Sequence, residues 1–259
     1  LVRRLREVAD RAADGEAPAP ALPAAADLGA PVRIAIDYGD AAELAEKAGR
    51  AAQALESANP AMWRALRARG VFLGRGRPGK VAFLYTGQGS QYVNMLKDLR
   101  EQEPVVADTF AQADRVMTPL LGKPLTEFIF IDGDDGEAVA QLEQQLLQTE
   151  ITQPAVLATD LALTRLLATY GITPDIVMGH SLGEYGALVA AGALSFEAAL
   201  EAVSARGSEM AHISVEDNGA MAAVLAPLDE IERVVDSIDG YVVIGNVNSH
   251  SQAVIGGDT

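Results

Sequence analysis

Apolar positions along the chain switch between a period near 3.6 and a period of 2, and the switches divide it into helices and strands. Residues 2–13 put Val2, Leu5 and Val8 on one helical face with arginines around it. Residues 14–31, DGEAPAPALPAAADLGAP, break the period with four prolines and read as a linker or an extended strap. VRIAIDY (32–38) alternates as a strand does. Residues 40–58 return to helical spacing through Leu44, Ala48, Ala51 and Leu55, Asn59-Pro60 stops them, and MWRALRARG gives a further helix. VAFLYT (81–86) is a short apolar run closed by glycine, the mark of a strand buried in a parallel sheet. Helical patterns then cover 104–121, with Val105, Phe110 and Val116 apolar, 137–148, and 153–170, the last beginning at Pro154. DIVMGHS (175–181) reads strand then turn, 182–194 is a small-residue helix, and Ser195 caps FEAALEAVSARGSEMA. From 219 onward AMAAVLA, DEIERVVDSI, YVVIGNVN and SQAVIGG predict strand, helix, strand, strand. The expected class is α/β.

Composition narrows the chemistry. The chain has 259 residues, 49% apolar and 22% charged, enough to bury a core. Twenty basic against 36 acidic residues give a net charge of −16, so the long-range field repels nucleic acid and anionic membrane, and neither is expected as a partner. With no cysteine there is no disulfide, thiolate metal site or cysteine nucleophile, which fits a reducing cytoplasm. Three histidines without an HxxxH spacing argue against a metal site. No apolar run approaches the ~20 residues of a membrane span, and the first residues are too polar for a signal peptide. The start at Leu1, without Met, reads as a piece of a longer chain. IDGDDGE (131–137) resembles a calcium loop only superficially, because the bidentate Glu is not at the required spacing. Residues 64–80, RALRARGVFLGRGRPGK, hold six bases and no acid. They read as a solvated face or as a docking surface for an acidic partner or an anionic ligand.

The stretch GHSLGEY (179–185) sits where a strand pattern hands over to a helix. A Gly-x-Ser-x-Gly turn in that setting holds the serine in a tight conformation, with its hydroxyl at a helix N-terminus that favours an oxyanion. Ser181 is therefore the candidate nucleophile. GQGSQ (87–91) ends another strand pattern, and its N–H groups could complete an oxyanion hole. Arg206, by the pattern in the last turn of its helix, lies beside the stripe Phe196, Leu200, Val203 and Met210; alone it could equally be a cation compensating the helix dipole.

Together FLYTGQGSQY, TEITQPA, GHSLGEYGALVAAGAL and Arg206-Gly207…Met210 resemble the acyltransferase family of fatty-acid and polyketide synthases, the malonyl-CoA:acyl-carrier-protein transacylases. The resemblance implies an α/β-hydrolase-like large subdomain with a parallel sheet at 80–218 and the first half of an inserted ferredoxin-like small subdomain at 219–259. It further implies a small α/β ketosynthase–acyltransferase linker unit at 32–79, preceded by a helix and strap at 1–31. It makes Ser181 the acyl acceptor, assigns the oxyanion hole to the N–H groups of Gln88 and Leu182, gives Arg206 the free carboxylate of malonyl, and places Gln153 in the same region. His180 is read as a packing residue rather than a base. The substrate implied is malonyl-CoA, with no tightly bound cofactor. The implied partners are an acyl carrier protein with its phosphopantetheine and a neighbouring ketosynthase, in a synthase that is a homodimer. Leu182 after the serine, and TEITQPA, resemble malonyl-selective members. The family's base is a histidine farther downstream; neither His212 nor His250 stands at its place, so the chain alone is expected to be inactive. A serine thioesterase or esterase of the α/β-hydrolase kind, and a non-catalytic linker or scaffold fragment, are the alternatives.

Overall fold

The computed structural model describes residues 1–19, 23–57, 59–76, 79–133, 135–212 and 219–259. It is mixed α/β with three small sheets, in two compact units, Leu1–Gly207 and Ser208–Thr259.

The first unit opens with α1 (Val2–Ala13), α2 (Ala25–Leu28), β1 (Val32–Ile36), α3 (Ala41–Ser57), α4 (Pro60–Arg67) and β2 (Val71–Arg75). β1 and β2 pair antiparallel, with Ile34 opposite Leu73. Leu5 of α1, Ala48, Ala51 and Ala52 of α3, Leu66 and Val71 form their core. Small alanines on α3 leave room for α1 to lie close against it. Asn59-Pro60 proves to be a start as well as a stop. The Asn59 side-chain oxygen accepts from the Ala61 N–H at 2.9 Å, and Pro60 occupies the first helical position, where its missing N–H costs nothing. The Ala/Pro-rich strap contains one helical turn, α2. Its Leu28 packs so closely on Gly171 that a Cβ there would lie 2.4 Å from the leucine side chain.

The rest of this unit is a parallel crossover. β3 (Ala82–Tyr85) and β4 (Ile176–Gly179) run side by side with Tyr85 opposite Gly179. Between them come α5 (Lys97–Gln102), α6 (Pro104–Leu121), a 3-10 turn at Leu125–Phe128, α7 (Gly136–Leu146) and α8 (Thr149–Thr169). α9 (Gly183–Ala190) and α10 (Phe196–His212) follow β4. Phe110, Met117, Ile129, Leu157, Leu200 and Val203 lead the core, where the Phe110 and Phe130 rings meet edge to face at 5.1 Å.

Two expectations are corrected here. α8 starts at Thr149, so Pro154 lies inside the helix rather than at its head. Tertiary contacts hold the extra turn: Ile151 is buried, and the Thr152 hydroxyl donates to the Leu146 carbonyl. The strand expected to be buried at 81–86 is covered on one face only. Tyr85 is buried against α9, whereas Leu84, Ile176 and Met178 are exposed. Among the described residues these two strands have no further neighbour in their sheet.

The second unit continues with β5 (Ala220–Val224), α11 (Leu228–Asp236), β6 (Val242–Ser249) and β7 (Gln252–Gly257). The strands form an antiparallel sheet in the order β5-β7-β6. Ile231 of α11 and Ala253 of β7 are buried. Among the described residues no helix is long and apolar enough to cross a membrane.

Candidate active site

β4 ends at Gly179 and α9 begins at Gly183, so three residues must turn the chain from strand to helix. A Cβ on Gly179 would lie 2.1 Å from the Gly183 carbonyl carbon, and one on Gly183 would lie 2.3 Å from the Tyr85 carbonyl oxygen. Neither position admits a side chain. The turn drives Ser181 to φ +53°, a left-handed conformation that costs a non-glycine residue of order 1–3 kcal/mol. Glu184 N–H donates to the Ser181 carbonyl at 3.1 Å, which ties this strained residue into the start of α9.

The GQGSQ loop leaves the end of the neighbouring strand and lies against the turn. A Cβ on Gly87 would stand 3.1 Å from the His180 carbonyl oxygen. The loop is braced internally, with the Ser90 hydroxyl donating to the Gly87 carbonyl and the Gly89 N–H to Gln91 Oε1, both at 2.8 Å. Gln88 reaches outward to Thr149 Oγ1 on α8 at 3.5 Å. Among the described residues neither the Gln88 nor the Leu182 N–H donates to a backbone carbonyl.

α10 runs on to His212, so Arg206 is in the helix interior rather than in its last turn. A Cβ on the adjacent Gly207 would lie 2.7 Å from both the Glu150 Cα and the Thr149 carbonyl oxygen, so the bare glycine lets α10 press on the first turn of α8. That approach brings Arg206 to its partners. Its Nη1 donates to Gln153 Oε1 at 2.7 Å and its Nη2 to Ser181 Oγ at 3.3 Å. Gln153 is wholly buried. The structure thus joins Ser181, Arg206 and Gln153, with Leu182 next in the chain and Gln88 on the abutting loop. The arrangement presents a nucleophile-type hydroxyl, a fixed guanidinium and a helix N-terminus at one spot, which suits a ligand carrying both an electrophilic carbonyl and an anionic group.

A set of polar contacts in this region escaped the sequence reading. Asp160 on α8 accepts from the Thr86 hydroxyl at 3.3 Å, which ties the start of the loop to α8; Ser90 Oγ, its proton on the Gly87 carbonyl, lies 3.1 Å from Thr86 Oγ1. Burial pushes the Asp160 carboxyl up to about 7, with the Thr86 bond pulling the other way. Tyr85 Oη and Thr164 Oγ1 bond at 2.9 Å nearby, and burial raises the Tyr85 phenol too. A signal for Asp160 existed: it is the one acid between Glu150 and Asp175. Elsewhere, His212 Nδ1 is 2.6 Å from the Ser208 carbonyl, and the His250 carbonyl accepts from Leu228. Among the described residues no group of three potential metal ligands occurs, and Asp132 of the acidic loop pairs with Lys97 at 2.7 Å.

Comparison with known proteins follows the same residues. Residues 82–259 match the acyl transferase domain family. The malonyl CoA-acyl carrier protein transacylase of Bacillus subtilis is 41% identical over 182 residues, 69% of this chain and 53% of that protein. The polyketide synthase GfsA of Streptomyces halstedii is 39% identical over 181 residues, which is 70% of this chain and 2% of the synthase. The chain therefore spans about half of the transacylase it matches. Among solved structures, the transacylase (MCAT) from Streptococcus pneumoniae is 43% identical with a TM-score of 0.59, covering 70% of this chain and 55% of its own. The acyltransferase domain of the second module of the salinomycin polyketide synthase is 32% identical with a TM-score of 0.68, covering 88% and 48%. Two glycines that admit no side chain, a left-handed serine and an arginine bonded to it thus stand within a matched region that makes up most of the sequence, and the chain belongs to the acyl transferase domain family.

Proposed function

We propose that this chain is the nucleophile-bearing part of an acyltransferase that moves a malonyl unit from coenzyme A to the phosphopantetheine thiol of an acyl carrier protein. The observation that carries this reading is the contact of Arg206 with Ser181 Oγ. A guanidinium at the nucleophile has no task for a plain acetyl group, but it can take the free carboxylate of malonyl bidentately and hold the thioester over the serine.

In the first half-reaction Ser181 Oγ bonds to the thioester carbonyl carbon while its proton passes to a base. The Gln88 and Leu182 N–H groups hold the oxyanion, and the C–S bond then breaks to release coenzyme A as the thiol. In the second half-reaction the phosphopantetheine thiol attacks the Ser181 ester and restores the hydroxyl. Gln153 holds the guanidinium plane between the halves. Arg206 only donates, so we assign the base to a histidine farther along the parent chain. The assignments of 80–218 to an α/β-hydrolase-like subdomain, 219–259 to half of a ferredoxin-like one, and 1–79 to a strap and ketosynthase linker belong to the same proposal. So does a homodimeric multidomain synthase. Coverage supports the segment ahead of the transferase region being of the synthase kind: the transacylase reaches 70% of this chain and the synthase domain 88%.

Intact-mass analysis of the parent protein with malonyl-CoA tests the reading. A mass gain of one malonyl group, absent in Ser181→Ala, is expected; an unchanged mass, or an adduct persisting in the variant, overturns it.

A further inference from the structure

The basic run at 64–80 precedes the region matched by the family, and the structure sorts its members. Arg69 lies 3.0 Å from Glu46, an acid it shares with Arg50. Arg64, Arg67 and Arg75 instead border one groove of about 680 Å3, together with Trp63, Phe72 and Leu73. No carboxylate among the described residues lines it. Among the described residues none of these three guanidiniums forms an ion pair, whereas Arg3, Arg4, Arg6, Arg11 and Arg50 in the elements packed around them do; Arg33, Arg100, Arg115, Arg165 and Arg206 of the same unit also form none. Three like charges bordering one groove leave it positive in a chain whose net charge is −16.

The groove also has an apolar side and a direction. Trp63, Arg64 and Arg67 line one face of α4. From β2 come Phe72 on one face of the strand and Leu73 and Arg75 on the other, so the groove follows the strand's edge. β2 has β1 on one side and, among the described residues, no strand on the other. Phe72 is 49% exposed at this edge.

We propose that this groove docks an extended acidic segment of a partner protein, with one apolar side chain seated between Trp63 and Phe72 and its carboxylates on Arg64, Arg67 and Arg75. The free edge of β2 supplies N–H and C=O groups to an extended chain, and the cations supply the selection for acid. Charge complementarity chooses the sign of the occupant, and the apolar wall chooses a peptide over a bare anion. A long polyanion is disfavoured because the whole chain's field repels it, while a short segment responds mainly to charges within a Debye length of about 8 Å at physiological salt. The inference is independent of the acyl-transfer reading.

Trp63 is the only tryptophan in the sequence, so its emission reports on this groove. The probe is a short synthetic peptide of Asp, Glu and Ser with one central Leu, titrated into the whole chain. A saturable change in Trp63 emission is expected, weakening as salt rises. Reversing Arg64, Arg67 and Arg75 to Glu should weaken binding at least about tenfold, and Phe72→Ser about threefold or more. All four side chains are exposed, so folding is not at stake. An absent or unsaturable change overturns the proposal, as does equal binding by the triple variant. So too does an equal response to inorganic phosphate, to an oligothymidylate, or to the same peptide with Ser in place of Leu; each would mark a plain anion site.

Discussion

Arg206 and the trio Arg64, Arg67 and Arg75 are the same side chain in two surroundings. Arg206 bonds to Gln153 and Ser181, both neutral, so its geometry is set while its charge stays uncancelled. Among the described residues the trio has neither an ion-pair partner nor such bracing. Arg69, paired with the Glu46 that also holds Arg50, shows the third possibility, a structural cation. The difference teaches that a neutral partner orients a charge for a ligand without using it up. One braced guanidinium suits a single carboxylate beside a reacting centre. Several unbraced ones suit an adaptable acidic segment.

The comparison breaks most completely at Ser181. Ser181→Ala in the parent protein should lower malonyl transfer at least about a thousandfold, since the proposed covalent step runs through its hydroxyl. A rate assay with malonyl-CoA and a carrier protein checks this, and a smaller loss removes Ser181 from the reaction. Next comes Arg206→Ala. Removing a charge-assisted partner should cost kcat/KM for malonyl-CoA about tenfold to a hundredfold and leave acetyl-CoA less affected. Parallel losses on the two thioesters would reduce Arg206 to a structural role, like Arg69.

Gly207→Ala attacks the bracing rather than the charge. Its Cβ would press on the backbone of Thr149 and Glu150, so we expect about 1–3 kcal/mol of destabilisation. In a domain of this size that is a fall in Tm of roughly 2–4 °C per kcal/mol, readable by calorimetry. An unchanged Tm would mean that α10 can shift without cost.

Asp160 gives the pH dependence. Burial raises its pKa from the ordinary 3.8 to about 7. The neutral acid is the form that the fold prefers, so its contribution to stability is complete below pH 3.8 and is lost as pH rises through about 7. Asp160→Asn cannot ionise. Its advantage over the wild type should widen by about 2–3 kcal/mol between pH 5 and 8, seen as a growing gap in Tm. A gap equal at both pH values would show that the carboxylate is not strained by burial. The smallest effect belongs to the groove. Reversing Arg64, Arg67 and Arg75 should change stability by no more than about 0.5 kcal/mol in denaturant titration. A larger loss would mean that these cations already have a structural task.

Much of this was legible along the chain. The element order of 32–57 and 219–257 follows from alternation and helical spacing, because each stripe faces its own local core. The strand–turn–helix at 175–190 could be read because the change of period and the Gly-x-Ser-x-Gly spacing are local, although the bare Gly183 is demanded by the Tyr85 carbonyl of the neighbouring strand. Pro154 misled because a start signal was outweighed by the burial of Ile151 ahead of it. The strand at 81–86 was read as buried from its apolar run, yet burial depends on what covers each face of the sheet.

By itself the sequence determined which residue types were available: a serine between two glycines, a run of bases without acids, and the periods of the helices. Only the tertiary structure decided that Arg206 meets Gln153, 53 positions away, and that Arg69 finds an acid while Arg64, Arg67 and Arg75 do not. The physical reason is range. A turn or a helical stripe is specified by neighbours within a few residues, whereas a guanidinium's partner is set by how closely two helices can approach. At the contact of α10 with α8 that approach depends on the absence of one Cβ, at Gly207.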